Sequence, residues 1–185
     1  MSVKTRSRSD RVFLTGFMGN GKSTIGPILA NTIGYEFVDV DRAIERFVRK
    51  TVNEIFHEHG EEYFRTLERN LIADLCARKN IVVALGGGTI ADPVSYKAVT
   101  ASGVLVYLKI PPQQIITRLR SKTDRPLLTG ASGEILDEES VRSRAMSLYL
   151  AREPFYEKAD ITVLSGEQSV GLTVDEIVRK LSNVR

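Results

Sequence analysis

A single cysteine, Cys76, in 185 residues is the first scarcity that narrows the reading. A lone thiol cannot close an internal disulfide, so a disulfide scaffold is excluded and a reducing, cytoplasmic setting is expected. Cys76 falls in the apolar-periodic run around Leu71 and Leu75 with no histidine patterned beside it, which makes it a small core residue rather than a nucleophile. Two histidines, His57 and His59, sit in a helix-like run and read as structural or solvated. No apolar stretch approaches the ~20 residues of a bilayer span. The run Met1–Arg11 is basic and serine-rich without the apolar block of a secretory signal, so residues 1–10 are expected to be a flexible tail. Charge of one sign is also thin: 26 Lys and Arg against 23 Asp and Glu leave +3, too little to mark a nucleic-acid binder. Basic residues bunch only between Arg118 and Arg125, where no aromatic residues interleave to stack bases, and an anionic small molecule accounts for them equally well.

What is present is an ordinary globular composition, 42% hydrophobic and 26% charged, in a chain long enough for one sizeable core but short for two. A single domain over residues 11–185 is expected. Buried strands are predicted at Val12–Thr15, Glu36–Val40, Ile81–Leu85, Val104–Lys109 and Ile161–Leu164, with helical stretches between them. That alternation implies a parallel sheet covered on both faces. Thr51–Glu54 and Thr173–Glu176 both read as capping boxes, and Asp137 as a cap for the helix after it. Between Ser121 and Glu134 the pattern dissolves into glycine, proline and small polar residues, which predicts a mobile loop and a place to look for a lid.

The most informative segment is Gly16-Phe17-Met18-Gly19-Asn20-Gly21-Lys22-Ser23. It matches the phosphate-loop pattern G-x-x-x-x-G-K-[ST] and lies between an apolar strand and a helix-like run from Lys22 to Ile33. A strand that turns through glycines into a helix aims backbone N–H groups, the positive helix end and one lysine at a single point, which suits polyphosphate. Lys22 is expected to reach the β and γ phosphates and Ser23 to ligate magnesium. The chain lacks an N-K-x-D guanine motif, a D-x-x-G switch at a strand end and an apolar run ending in Asp-Glu. A dedicated GTPase or motor-type ATPase is therefore disfavoured, and a small-molecule kinase remains.

Acids and glycines follow at the other strand ends. Asp39 and Asp41, two apart on a strand predicted to run through Val40, would project together from its C-terminal end, where parallel sheets bind ligands. One would orient magnesium and the other accept a hydrogen bond from the attacking hydroxyl; the alternative is an N-cap at Asp41 with Asp39 solvated. Gly86-Gly87-Gly88 after the third strand suggests close backbone approach to a ligand rather than a plain turn. Phe64, Leu67, Leu71 and Leu75 form a core stripe at helical spacing. Beside it Arg65 and Glu68, three apart, are neighbours, either functional or merely an exposed pair.

In this order, Gly-Phe-Met-Gly-x-Gly-Lys-Ser-Thr, Asp-x-Asp, Phe-Arg-x-x-Glu, Gly-Gly-Gly, Arg-Pro-Leu-Leu and Arg-x-Pro-x-Tyr, the motifs from about Val12 to Gln168 resemble the shikimate kinase family. The resemblance implies an α/β P-loop kinase fold of the nucleoside-monophosphate-kinase type. Its parts would be a five-stranded parallel sheet flanked by helices, a substrate-binding helical region at about 41–75 and a lid at about 121–135. It implies transfer of the ATP γ-phosphoryl group to the 3-hydroxyl of shikimate, on the route to chorismate, with Mg2+ as cofactor and ATP and shikimate as the partners of a monomer that binds neither nucleic acid nor membrane.

Carried over by residue, the resemblance makes Asp41 the base, with Lys22 and Arg125 completing the catalytic set, and Asp39 with Ser23 the magnesium side. Gly19, Asn20, Gly21, Lys22, Ser23, Thr24, Arg118, Arg125 and Gln168 would bind ATP. Asp41, Arg65, Glu68, Gly86, Gly87, Gly88 and Arg152 would bind substrate, the two arginines gripping its carboxylate and Glu68 bracing Arg65. Arg120 and Lys122 compete with Arg118 for the adenine role. Asn20, where many relatives have alanine, and Pro27 in the first helix depart from the family pattern without removing a catalytic group. Two further readings stay open: a kinase for another hydroxylated acid such as gluconate, against which the paired arginine motifs argue, and a binding module that has lost catalysis.

Overall fold

The first strand, β1 (Arg11–Thr15), is buried along its whole length because it lies mid-sheet with helices on both sides. The computed structural model describes residues 10–119, 137–166 and 168–184. In it β1, β2 (Glu36–Asp39), β3 (Ile81–Ala84), β4 (Val104–Lys109) and β5 (Ile161–Leu164) form one sheet in the order β2-β3-β1-β4-β5, and every pairing is parallel. Phe13 is in register with Val83 on one side and Leu105 on the other. The helices are α1 (Lys22–Ile33), α2 (Val40–Val48), α3 (Val52–Ala77), α4 (Pro93–Ser102), α5 (Pro112–Leu119), α6 (Glu138–Tyr156) and α7 (Val170–Leu181). No helix among the described residues is long and apolar enough to cross a membrane.

Strand alternation sorts the core into two. Val12 and Leu14 face Ile25 and Leu29 of α1 and Val174 and Ile177 of α7; Phe13 faces the other way, into a cluster with Ile72 and Leu75 of α3, Val99 of α4 and Tyr149 of α6. Each fully buried aliphatic side chain contributes about 1.5–3 kcal/mol, and both faces are covered, as the unbroken apolar strands require. Gly26 lets α1 sit against β2: a β-carbon there would meet the Phe37 ring at 2.2 Å.

Strands β4 and β5 and helix α1 have the predicted bounds. Two local expectations need correction. Strand β2 stops at Asp39 instead of running through Val40, because Asp39 is itself the N-cap of α2, accepting from the Arg42 amide at 3.2 Å. Asp41 therefore belongs to the first helical turn, and the alternation argument for the acidic pair does not apply. The second capping box fails: α7 is capped one turn earlier by Ser169, and Thr173 is buried inside the helix, donating to the Ser169 carbonyl at 3.1 Å. Arg11, at the end of the basic N-terminal run, is buried in β1, where its guanidinium donates to the Arg78 and Ser102 carbonyls. The Thr51–Glu54 box and the Asp137 cap form as predicted. Helix α3 is broken at Gly60 (φ 81°), which separates its first arm from the arm bearing Arg65 and Glu68.

Candidate active site

The phosphate loop joins β1 to α1 at the C-terminal edge of the sheet. Gly19 and Gly21 adopt φ of 79° and 95°, left-handed values that glycine takes without penalty. Gly21 is the N-cap of α1 and offers no side chain, so the helix start stays open; its first turn holds Lys22, Ser23 and Thr24 and no acid. Lys22 turns back on the loop, with Nζ donating to the carbonyls of Gly16 (2.7 Å) and Phe17 (3.1 Å) and to Asn20 Oδ1 (3.1 Å). Ser23 Oγ donates to Asp39 Oδ2 at 2.6 Å, which joins the helix start to the end of β2.

Asn20 is buried, and its side chain turns inward instead of toward the open helix start. Nδ2 donates to the Leu108 carbonyl at the end of β4 (2.7 Å) and, more weakly, to Thr15 (3.4 Å). Only a glycine fits at position 16, where a β-carbon would lie 1.9 Å from that amide. Ser165, after β5, donates to the Asn20 carbonyl at 3.1 Å. These two residues hold the loop against two strand ends. Ser165 was missed in the sequence because its partner is 145 positions away.

The second half of the site is built around the three glycines. They are followed by a short 3-10 turn, Thr89–Ala91, and each spares a particular contact. A β-carbon on Gly86 would lie 2.8 Å from Glu68 Oε1 and 2.9 Å from Asp41 Oδ1, and one on Gly88 would lie 2.6 Å from Arg65 Nη2. One on Gly87 would lie 3.5 Å from Arg152 Nη1 and 3.8 Å from the Met18 amide of the phosphate loop. Contact with a ligand was predicted at these glycines; the groups that crowd them here are the protein's own, charged side chains among them.

Glu68 is wholly buried, accepting from Arg65 Nη1 (2.7 Å) and from Thr89 Oγ1 (2.5 Å). Arg65 also pairs with Glu61 at 3.0 Å. Burial alone would lower the Arg65 pKa, but Glu68 and Glu61 raise it beyond its usual value, so the cation is secure. A surface pair worth 0.2–0.5 kcal/mol does not describe a carboxylate with no exposure: removing Arg65 leaves the buried Glu68 charge without its cation, at about 3–5 kcal/mol. Arg65 and Arg152, 87 positions apart in sequence, line one cavity of about 290 Å3 with Gly88 and Asp92. A larger hollow of about 520 Å3 lies at the α2–α3 elbow among Arg42, Arg46, Arg49 and Lys50; it is an open charged surface that contains none of the converging residues.

Arg152 reaches this cavity from α6, which is tied to the glycine turn by the buried Tyr156 donating to the Gly87 carbonyl; within the helix Tyr149 donates to Glu153 (2.5 Å). Tyr156 is another residue that the sequence reading left out of the site, though its spacing four after Arg152 was a signal. Gln168 lies after β5 on the same rim, but its amide donates to Leu164 and Glu176 of its own neighbourhood. The backbone of Arg118 is in α5; Arg120, Lys122, Arg125 and the expected lid lie outside the described residues. His57 and His59 are exposed, and Cys76 packs partly buried against the core.

A phosphate loop feeding α1 at the edge of a five-stranded parallel sheet, with an acid and two arginines beside it, defines a phosphate-loop kinase for an anionic small molecule. The shikimate kinase family model matches residues 18–182. A shikimate kinase of Chlorobium chlorochromatii (strain CaD3) is 49% identical over 170 residues, 92% of this chain and 90% of that protein. The structure of a shikimate kinase from Acinetobacter baumannii in complex with shikimate is 32% identical with a TM-score of 0.84, covering 95% of this chain and 94% of that one. The chain belongs to the shikimate kinase family. A gluconokinase from Sinorhizobium meliloti 1021 superposes with a TM-score of 0.58 at 16% identity, covering 96% of this chain and 94% of that one, a likeness of fold alone.

Proposed function

We propose that the phosphate loop and the two-arginine cavity serve one reaction, transfer of the ATP γ-phosphoryl group to the 3-hydroxyl of shikimate, giving shikimate 3-phosphate and ADP. One observation carries the reading: the two anion sites meet at Gly87, whose open face looks onto both the Met18 amide and Arg152. A nucleotide held by the loop and an acid held by the arginines would be neighbours, which is what direct transfer requires.

In this reading Lys22 exchanges its loop carbonyls for the β and γ phosphates, and the amides at the start of α1 receive phosphate oxygens. Gly19, Gly21 and Thr24 contribute backbone, and Asn20 holds the loop in place from beneath. Arg65 and Arg152 grip the substrate carboxylate; guanidinium suits this because its planar fork makes two parallel charge-assisted bonds. Glu68 fixes the plane of Arg65. Asp41, pressed against Gly86, accepts the hydrogen bond of the attacking hydroxyl and takes its proton. Arg125, with Arg118 on the adenine side, neutralises the transferring group when the lid closes, and closure keeps water from accepting it. Gln168 is assigned a contact with the nucleotide.

The oxygen donors Ser23 and Asp39, 2.6 Å apart, suit magnesium, a hard cation that takes a hydroxyl or one carboxylate and fills the rest of its shell with phosphate oxygens and water. No cluster of three or more acidic, histidine or cysteine ligands occurs among the described residues. When bound, it would neutralise phosphate charge. Both anion sites come from one chain, so the reaction needs no second copy, and the reading is of a monomer acting in the cytoplasm.

ADP release measured against shikimate concentration tests the proposal. Saturable, shikimate-dependent release is expected, with gluconate a poor substitute; equal release with and without shikimate would refute it. Asp41→Asn should cut turnover at least 100-fold while leaving the KM for ATP near the wild-type value.

A further inference from the structure

Tyr156 has three features that packing alone does not require. Its hydroxyl donates to the carbonyl of Gly87, the central residue of the glycine turn, although the side chain is wholly buried. It stands four residues after Arg152 on α6, so the two side chains share a helix face, and both converge on Gly87: the β-carbon position of that glycine is 3.5 Å from Arg152 Nη1 and 3.9 Å from Tyr156 Oη. Its ring is held independently, against Tyr107 with centroids 5.3 Å apart, so the hydroxyl is aimed by packing rather than found by chance.

We propose that Tyr156 is a positioning residue for the carboxylate site, its hydroxyl setting the separation between the Arg152 guanidinium and the Gly87 turn. The inference rests on the assignment of Arg152 to the substrate carboxylate. Helix α6 carries Arg152 but not the glycine turn, and the turn carries neither arginine. The bond from Tyr156 to Gly87 fixes the distance between them within one turn of the arginine. Burial raises the tyrosine pKa, while the neighbouring Arg152 acts against that rise through its charge and a hydrogen bond; the net shift is upward, and the phenol stays a donor at neutral pH. Arg65 is braced by a carboxylate; Arg152 is braced by a phenol that registers it against the turn.

Tyr156→Phe keeps the ring and removes only the hydroxyl. We expect the KM for shikimate to rise about tenfold, with the KM for ATP unchanged within a factor of two and the turnover number reduced less than threefold. In an Arg152→Ala background the same change should add less than twofold, because the residue it positions is gone. Protein carrying 3-fluorotyrosine at position 156, with ring and hydroxyl both present, should keep the shikimate KM within twofold of wild type. A shikimate KM unchanged in Tyr156→Phe but raised in Arg152→Ala would overturn the role of the tyrosine alone. An equal rise in both KM values, or an undiminished effect in the Arg152→Ala background, would overturn it as well, by assigning the residue to general stability. An unchanged KM in Arg152→Ala would overturn the carboxylate assignment and the tyrosine's role with it.

Discussion

Replacing Gly88 by alanine separates the function of Arg65 from the stability of the fold. Gly88 has φ −109° and ψ −7°, a conformation open to alanine, so the backbone carries no strain from the change. The added carbon would lie 2.6 Å from Arg65 Nη2 and 3.2 Å from both Cζ and Nη1. Ordinary contact begins near 3.4 Å, and the guanidinium must withdraw by roughly 0.8 Å. Because the obstructed atoms end a flexible side chain, the fold loses about 1 kcal/mol or less, a fall in Tm of about 2–4 °C for a chain of this size. The site loses more, since a displacement near 1 Å of a positioning group costs up to about 100-fold. The expected result is a 10- to 100-fold lower kcat/KM for shikimate, measured by coupled ADP release at saturating ATP, with the KM for ATP unchanged. In an Arg65→Ala background the substitution should add less than twofold. A wild-type shikimate KM in Gly88→Ala, with folding intact, would refute the claim that Arg65 holds the substrate from its observed position.

Asn20→Ala removes the amide that satisfies the Leu108 carbonyl; stranding buried polar groups costs about 1–3 kcal/mol, so Tm should fall by roughly 3–10 °C and the KM for ATP should rise, and an unchanged Tm by scanning calorimetry would contradict the anchoring role. Asp92 caps α4 through Ser95 and faces Arg69 at 3.5 Å; burial by itself raises its pKa, but the bonds from Ser95 and the charge of Arg69 outweigh it and the net shift is downward. Its contribution is therefore complete above the ordinary carboxylate range and is lost as pH falls through its lowered folded value. Urea unfolding should show wild type more stable than Asp92→Ala by about 0.5–2 kcal/mol at pH 7, a gap that narrows below about pH 4; a gap independent of pH would count against it. The Cys76 thiol is pushed up in pKa by burial, against the smaller effects of Ser102 and Arg11, so the folded protein should react with a thiol reagent at pH 8 at least tenfold more slowly than the urea-unfolded chain.

Much of the architecture was legible because parallel strands buried on both faces are continuous apolar runs, and Val104–Lys109 and Ile161–Leu164 end where polar or turn residues begin. The phosphate loop was legible because its chemistry demands particular residues at fixed local spacing. Arg65 and Glu68 were neighbours by helical periodicity, but the complete burial of Glu68 depends on Thr89 and Gly86, which no local pattern brings near. Errors came where two local rules competed. Asp39 ends a run that reads as strand through Val40, yet it caps a helix at once. Thr173 begins a complete box signature, yet Ser169 caps the helix one turn earlier without a glutamate at the reciprocal position. The inward turn of Asn20 and the bond from Tyr156 to Gly87 join segments 88 and 69 positions apart, a scale on which a single sequence is silent.

The backward fold of Lys22 bears on how firmly the enzyme can hold its nucleotide. Its ammonium has oxygen partners within the loop itself, so on the proposed role of Lys22 an arriving triphosphate would compete with ligands the cation already has. The gain on association is then the difference between two coordination shells, less than the full attraction of a bare ammonium for phosphate. On the proposed role of Lys22, once the terminal phosphoryl group has departed and ADP remains with less charge, the same carbonyls and the Asn20 amide oxygen would reclaim the lysine and so favour release of the spent nucleotide.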